Sequence, residues 1–316
     1  MFDRFDPRDR DDDPRDDHGI YDPRWNDDPR DREEDPRDRG RDRDRDPRDA
    51  FVEGLDLPRG LEREIVLDER DRTYELNGED SRTLATVGVF RVVSESDLRD
   101  SRDESPDPRD ADYRHLRDQG LMQSVSLDGR ERVLTLTDRG RGLLEEHRRD
   151  RDDERHHRDE HHQEFHAGVS RPRELTHDAS LYRAYLRAEK RLREQGADVR
   201  GVVLENDLKR EYQEWLQEHN RGRPDSDGRP DRDPREIEAW AHEHDLPYFD
   251  ESVHFPDFRL EYEIDGRHRH EDIEVVTDNY RGGHAASRAR AGFTCYSSGG
   301  RGGSRPFDPR VAEDFI

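Results

Sequence analysis

Apolar residues in this chain come in short bursts between long polar stretches, and each burst has a readable period. REIVLDERDRTYELNG, residues 63 to 78, places two apolar runs around a charged turn and predicts a two-stranded hairpin. SRTLATVGVFRVV then sets Leu84, Val87, Val89 and Phe90 at near-helical spacing, which predicts a helix capped by Ser81. SESDLRD predicts a short helix started by Ser94 or Ser96, and DPRDADYRHLRDQGL another that stops at Gly120. LMQSVSLDGRERVLTLT alternates on both sides of Asp128-Gly129, a strong hairpin signal, and DRGRGLLEEHRR closes the segment as a helix.

The second half repeats this economy. LTHDASLYRAYLRAEKRLREQG carries a stripe of Leu181, Tyr182, Tyr185, Leu186 and Leu192 and ends at Gly196, which predicts an amphipathic helix. ADVRGVVLEN predicts a buried strand through Val199, Val202, Val203 and Leu204. Two helical stretches, DLKREYQEWLQEHN and PREIEAWAHEHD, flank the polar loop RGRPDSDGRPDRD. In PDFRLEYEID the residues Phe258, Leu260, Tyr262 and Ile264 alternate with Asp257, Arg259, Glu261 and Glu263, so the two sets point to opposite faces of a strand. After a turn at Gly266, HEDIEVVT buries Ile273 and Val275 and turns Asp272 and Glu274 the other way. GGHAASRARAGF predicts a helix presenting Arg288 and Arg290, and GFTCYSS a last strand.

Composition limits how much of the chain can pack. Of 316 residues 28 % are apolar and 44 % charged, so long solvated segments are expected beside modest cores. Residues 1 to about 50 repeat Asp-Pro-Arg-Asp from positions 6, 13, 28, 35 and 46, and this mixed-charge text offers little to bury. No run approaches the roughly 18 apolar residues of a membrane span, and the start MFDRFDPRDR lacks the apolar core of a secretory signal. The lone Cys295 forms no internal disulfide, and a cytoplasmic setting without membrane contact is expected.

A net charge of −25 argues against a protein that coats nucleic acid indiscriminately. One face can still be cationic. From Asp107 to Arg149 nine Arg balance nine acids, a neutral section of an acidic chain. Helix, helix, helix, hairpin, helix resembles the winged helix-turn-helix fold, and that resemblance implies a helix in the major groove with the wing on the backbone. The corresponding residues are Arg114, His115 and Arg117 on the helix and Arg130 and Arg132 on the hairpin, followed by Arg139 and Arg141. Double-stranded DNA is the partner this implies; a winged helix that contacts another protein is the rival reading.

The bridge RDDERHHRDEHHQEFHAG spells H-x-x-E-H at His157, Glu160 and His161, a spacing that can put two imidazoles and a carboxylate on one helix face. Its charged surroundings lack the packed second layer a catalytic zinc needs, and a solvated linker is the expectation.

In the last segment, Pro256-Asp257 at one strand and Glu274 on the next, with a helix and strand after them, is similar to the PD-(D/E)XK nuclease core. That resemblance implies Asp257 and Glu274 as catalytic and Mg²⁺-holding acids, with a lysine two residues after the second acid to activate water. Val276 stands at the lysine position, and reading Asp272-Ile273-Glu274 instead puts an acid there. Arg288 can stabilise phosphoryl charge but cannot serve as a base. Glu189 and Glu205 are further acids that no spacing selects. Three readings stay open: a solvent-facing acidic sheet, a nuclease-like fold that binds without cleaving, and an active Mg²⁺ endonuclease.

Taken together, residues 65 to 296 resemble the replication-relaxation family of plasmids and mobile elements. The expected fold is α+β: a disordered charged arm (1–60), a winged helix domain (61–150), a His-rich linker (151–170), a nuclease-like α/β domain (171–298) and a flexible tail (299–316). The implied role is DNA binding connected with replication or regulation of a mobile element, with the nuclease-like part non-catalytic. A Mg²⁺-dependent DNA endonuclease and a protein-binding adaptor are the alternatives.

Overall fold

The backbone of the first half is organised by one buried helix. In the computed structural model, which describes residues 46–98, 113–127, 132–149, 163–169, 175–218, 232–276 and 291–297, this helix is α2 (Gly78–Phe90), after a short α1 (Asp49–Val52) and the hairpin β1 (Glu64–Leu67) and β2 (Thr73–Leu76). Asn77, not the expected Ser81, starts α2: its side chain accepts from Asp80 N while Asp80 accepts from Asn77 N, a reciprocal capping box. Ser81 lies a turn inside, where its hydroxyl donates to Asn77 O. Every residue from Thr83 to Phe90 is buried, so α2 is the axis around which neighbours pack.

A three-stranded antiparallel sheet closes over α2. Its order is β3 (Val93–Ser94), β5 (Arg132–Leu136), β4 (Met122–Ser126), with Val93 opposite Leu134 and Ser126 opposite Arg132. Ser94 is thus in a strand, and Glu95 to Asp97 form a turn where a short helix was expected. Helix α3 (Arg114–Asp118) precedes the β4–β5 hairpin and ends as the glycine predicted: Gly120 has φ 72°, Gly120 N donates to Arg117 O and Leu121 N to Leu116 O. Helix α4 (Asp138–Glu146) follows β5 and is capped by Thr137. A Cβ on Gly140 would sit 2.1 Å from Leu121 O, so only glycine lets α4 approach the sheet this closely.

The second half is built on α5 (Leu175–Glu194) and a mixed four-stranded sheet in the order β11-β10-β9-β6. Strands β6 (Asp198–Leu204), β9 (Phe258–Ile264) and β10 (Arg267–Val276) pair antiparallel in succession, and β11 (Thr294–Ser297) lies parallel to β10. Helices α6 (Glu205–Leu216) and α7 (Pro234–Glu243) and a small hairpin, β7 (Tyr248–Phe249) and β8 (Ser252–Val253), separate β6 from β9 in sequence. They bring a satellite core of Leu208, Trp240, Ala241, Leu246 and Phe255 against Val203 of β6.

Arg259 and Glu274, which the alternation turns away from Phe258 and Ile273, are 7 % and 1 % exposed. Arg259 is held there by Asp272 (2.7 and 3.0 Å) and by the His244 and Asp245 carbonyls at the end of α7. A cation at a helix C-terminus is electrostatically favoured.

All described residues belong to the compact unit Asp46–Ile316, and one buried cluster runs from Phe51 through Leu84, Phe90 and Tyr185 to Phe258 and Tyr296. The Phe90 ring packs on Phe51, Tyr182, Tyr185 and Phe258, with centroids 5.2 to 6.4 Å away. Residues 46–60, read from sequence as the end of the charged arm, contribute Phe51, Val52, Leu55 and Leu57 to this core. Arg48 of the fifth Asp-Pro-Arg-Asp phrase is only 1 % exposed, forked between Asp46 and Glu79. A strap, residues 163–169, buries Phe165 and bonds Gly88 O and Leu136 O. No helix among the described residues is long and apolar enough to cross a membrane.

Candidate functional site

Two places collect the residues singled out in the sequence. The first is the surface of α3 and the β4–β5 hairpin. Here Glu95, in the turn after β3, lies with Oε1 3.9 Å from Arg117 Nη1 and 4.0 Å from Arg132 Nε. Ser124 of β4 joins them: its hydroxyl donates to Glu95 Oε1 at 3.0 Å and accepts from Arg132 Nε at 3.0 Å. Arg117 and Arg132 therefore meet around one carboxylate, although fifteen residues separate them in sequence. Arg114 is exposed one turn earlier on α3. Arg130 falls outside the described residues.

His115 is engaged differently from its neighbours. Its Nε2 lies 2.7 Å from Glu75 O, and the Gln119 amide completes the clasp by accepting from Glu75 N at 2.8 Å and donating to Glu75 O at 3.2 Å. These contacts fasten α3 to the outer edge of β2. His115 orients the helix rather than presenting a free edge.

The second place is where β9 and β10 begin to part. Phe258 stands opposite Ile273 as the last pair of the ladder, Asp257 and Glu274 are the next residues on either side of it, and both acids act on His177. Asp257 is fixed at three points: its Oδ2 accepts from Val275 N at 2.6 Å, its Oδ1 faces His177 Nε2 at 3.2 Å, and its carbonyl accepts from Glu205 N at 2.9 Å. Burial alone would lower the pKa of His177, but the hydrogen bond and charge of Asp257, with Asp178 and Glu274 behind it, raise it to about 9. At neutral pH an imidazolium thus sits against the two acids.

Sequence reasoning missed His177. The signal was present: His177, Leu181, Ala184 and Ala188 fall on one helical stripe of α5, and the other three are buried. A histidine on a core-facing stripe needs a polar partner, and Asp257 supplies it.

Other acids near this place are already engaged. Asp272 is held by Arg259, and Glu271 by Arg191 at 2.5 Å. Glu189 lies 3.5 Å from Arg193, and Glu205 lies 2.6 Å from Lys209, each along its own helix. Among the described residues no group of three or more His, Cys, Asp or Glu side chains is placed to hold a metal ion. Each oxygen of Asp257 faces one hydrogen-bond donor, and the His177 cation neighbours the acids. Arg288, Arg290 and the H-x-x-E-H motif at 157 to 161 lie outside the described residues.

No family model, curated protein or solved structure matches this chain.

Proposed function

We propose that this chain binds duplex DNA through α3 and the β4–β5 hairpin, in the replication or regulation of a plasmid or mobile element, and that its second half binds without cleaving. One observation carries the reading: Arg117 from the helix before the hairpin and Arg132 from the hairpin itself stand around one Glu95 oxygen, so the two elements present a common guanidinium-bearing surface. The helix–strand–helix–hairpin order and the β3-β5-β4 sheet are similar to a winged helix, in which these elements enter a groove and meet the backbone. Arginine suits this role because its planar fork engages phosphates and guanine edges two bonds at a time.

The test is a titration of labelled duplex against salt. Affinity should fall steeply as salt rises, and Arg114→Ala combined with Arg117→Ala should remove most of it. Binding indifferent to both changes would overturn the reading.

A Mg²⁺-dependent endonuclease is the second reading, favoured by Asp257 and Glu274 standing next after the Phe258–Ile273 pair on adjoining strands and both acting on His177. Val276 in the lysine position and the His177 cation weigh against it. Supercoiled plasmid incubated with Mg²⁺ decides: nicking that disappears in Asp257→Ala would restore it, and an intact plasmid retires it.

A further inference from the structure

The α3–hairpin surface has an anion at its centre. Glu95 is 31 % exposed, accepts from Ser124, and has Arg117 and Arg132 at 3.9 and 4.0 Å. A surface made only to attract phosphate would gain from an apolar or cationic residue there. A carboxylate at that spot repels a phosphate brought against it, and it neutralises part of the two guanidiniums that flank it. It is also a hydrogen-bond acceptor among donors. The major groove offers donors that arginine cannot read, the exocyclic amino groups of cytosine N4 and adenine N6, and a carboxylate is suited to accept from cytosine N4.

We infer that Glu95 is a specificity-determining residue of this surface: it turns phosphate away from the centre and accepts the exocyclic amino group of a base edge, leaving Arg117 and Arg132 to fix the flanks. The inference rests on the duplex-binding reading above and adds a requirement that reading does not contain. Ser124 holds the carboxylate in place through its hydroxyl, and Arg132 in turn holds Ser124, so the acceptor is oriented before DNA arrives.

The experiment compares the full chain with Glu95→Ala and Glu95→Gln by titrating a random-sequence duplex at several salt concentrations and by selecting bound duplexes from a randomised pool. Glu218→Ala, which removes the same charge from a site 63 % exposed beyond α6, controls for net charge. Both Glu95 variants should bind the random duplex several-fold more tightly than the parent. Their salt dependence should steepen by about 0.9 in log–log slope, the release expected for one more neutralised phosphate. Glu95→Ala should also flatten the parent's preference for a cytosine or adenine at one position, while Glu218→Ala leaves affinity and preference unchanged. If the parent binds DNA with salt dependence but both Glu95 variants behave like it, or Glu218→Ala matches them, Glu95 has no such role and the duplex reading survives. If neither parent nor variants bind any duplex, both ideas fall together. Duplex binding that appears only when Glu95 is replaced would show a parent that reads no base edge, and overturns the inference.

Discussion

The side-chain amide of Gln163 satisfies both backbone groups of Val202: Nε2 donates to Val202 O at 2.8 Å and Oε1 accepts from Val202 N at 3.0 Å. Val202 lies on β6, the outermost strand of its sheet, where an open row of N–H and C=O groups invites pairing with other chains. Gln119 makes the same two-bond contact with Glu75 on the edge of β2. On the opposite edge of that hairpin, Glu146 accepts from Glu69 N and His147 Nε2 lies 2.8 Å from Leu67 O. Single side chains thus stand where neighbouring strands would be.

Replacing Gln163 by Ala should lower stability by about 1–3 kcal/mol, because two partly buried backbone groups lose their partners. The same change at Gln119, whose bonds to Glu75 are exposed, should cost less than 1 kcal/mol because water replaces the amide. Urea unfolding of the two variants measures the difference; equal losses would contradict it.

His177 should titrate near 9 in the folded protein, against about 6.5 for an ordinary imidazole. Since the folded state raises this pKa, its stabilising contribution is complete below about 6.5 and disappears as pH rises through about 9. NMR of the imidazole protons across this range reads the value directly. Asp257→Asn should move it down toward the ordinary range, and an unmoved titration would show that Asp257 is not its main partner.

Arg48 is a buried cation held by Asp46 at 2.6 Å and Glu79 at 2.7 Å. Arg48→Ala leaves Asp46 with a lost partner and empties a packed position, a loss of roughly 3 kcal/mol on the scale of broken buried pairs. Arg48→Met keeps the volume and should lose less. Burial opposes ionisation of Asp46, yet the hydrogen bonds and charge of Arg48 hold its carboxyl below the ordinary carboxylate range. The stabilisation is therefore present above that range and fades as pH falls through the lowered value, an effect visible in acid unfolding of the parent and weaker in Arg48→Met, where the backbone N–H of residue 48 and Arg82 still act on Asp46.

Gly140→Ala should destabilise by about 1–3 kcal/mol through a forced shift of α4 away from Leu121 O. Gly142, where an added Cβ would meet nothing closer than 3.8 Å, is the matched control, and Gly142→Ala should be neutral or slightly stabilising. Thermal unfolding of the pair separates crowding from helix propensity.

Much of this arrangement was legible from period alone. Phe258 and Leu260 alternate in sequence and are both fully buried, β4 and β5 pair antiparallel where a hairpin was expected, with Ser126 opposite Arg132, and α5 follows its stripe to Gly196. What escaped was set by distant partners. Gln163 and Val202 are 39 residues apart, Gln119 and Glu75 are 44 apart, and a polar residue on a strap or helix end carries no periodic signal of the edge it will meet. The burial of Arg259 depends on where the end of α7 docks, a tertiary choice that alternation along one strand cannot encode. Ser81 has the residue type of a cap, but Asn77 with Asp80 offers both halves of the box, and the reciprocal pair wins.

The ring of Phe90 leaves a practical mark on how this chain can be divided. Its neighbours Tyr182, Tyr185 and Phe258 all lie beyond residue 163, whereas Phe51 lies before it. A fragment ending near residue 149 would carry α3 and its hairpin but bare an aromatic surface to water, and a fragment starting near 163 would bare the matching one. Each half is the other's shelter, so melting should be a single event, and α3 with its hairpin is best assayed in the intact chain.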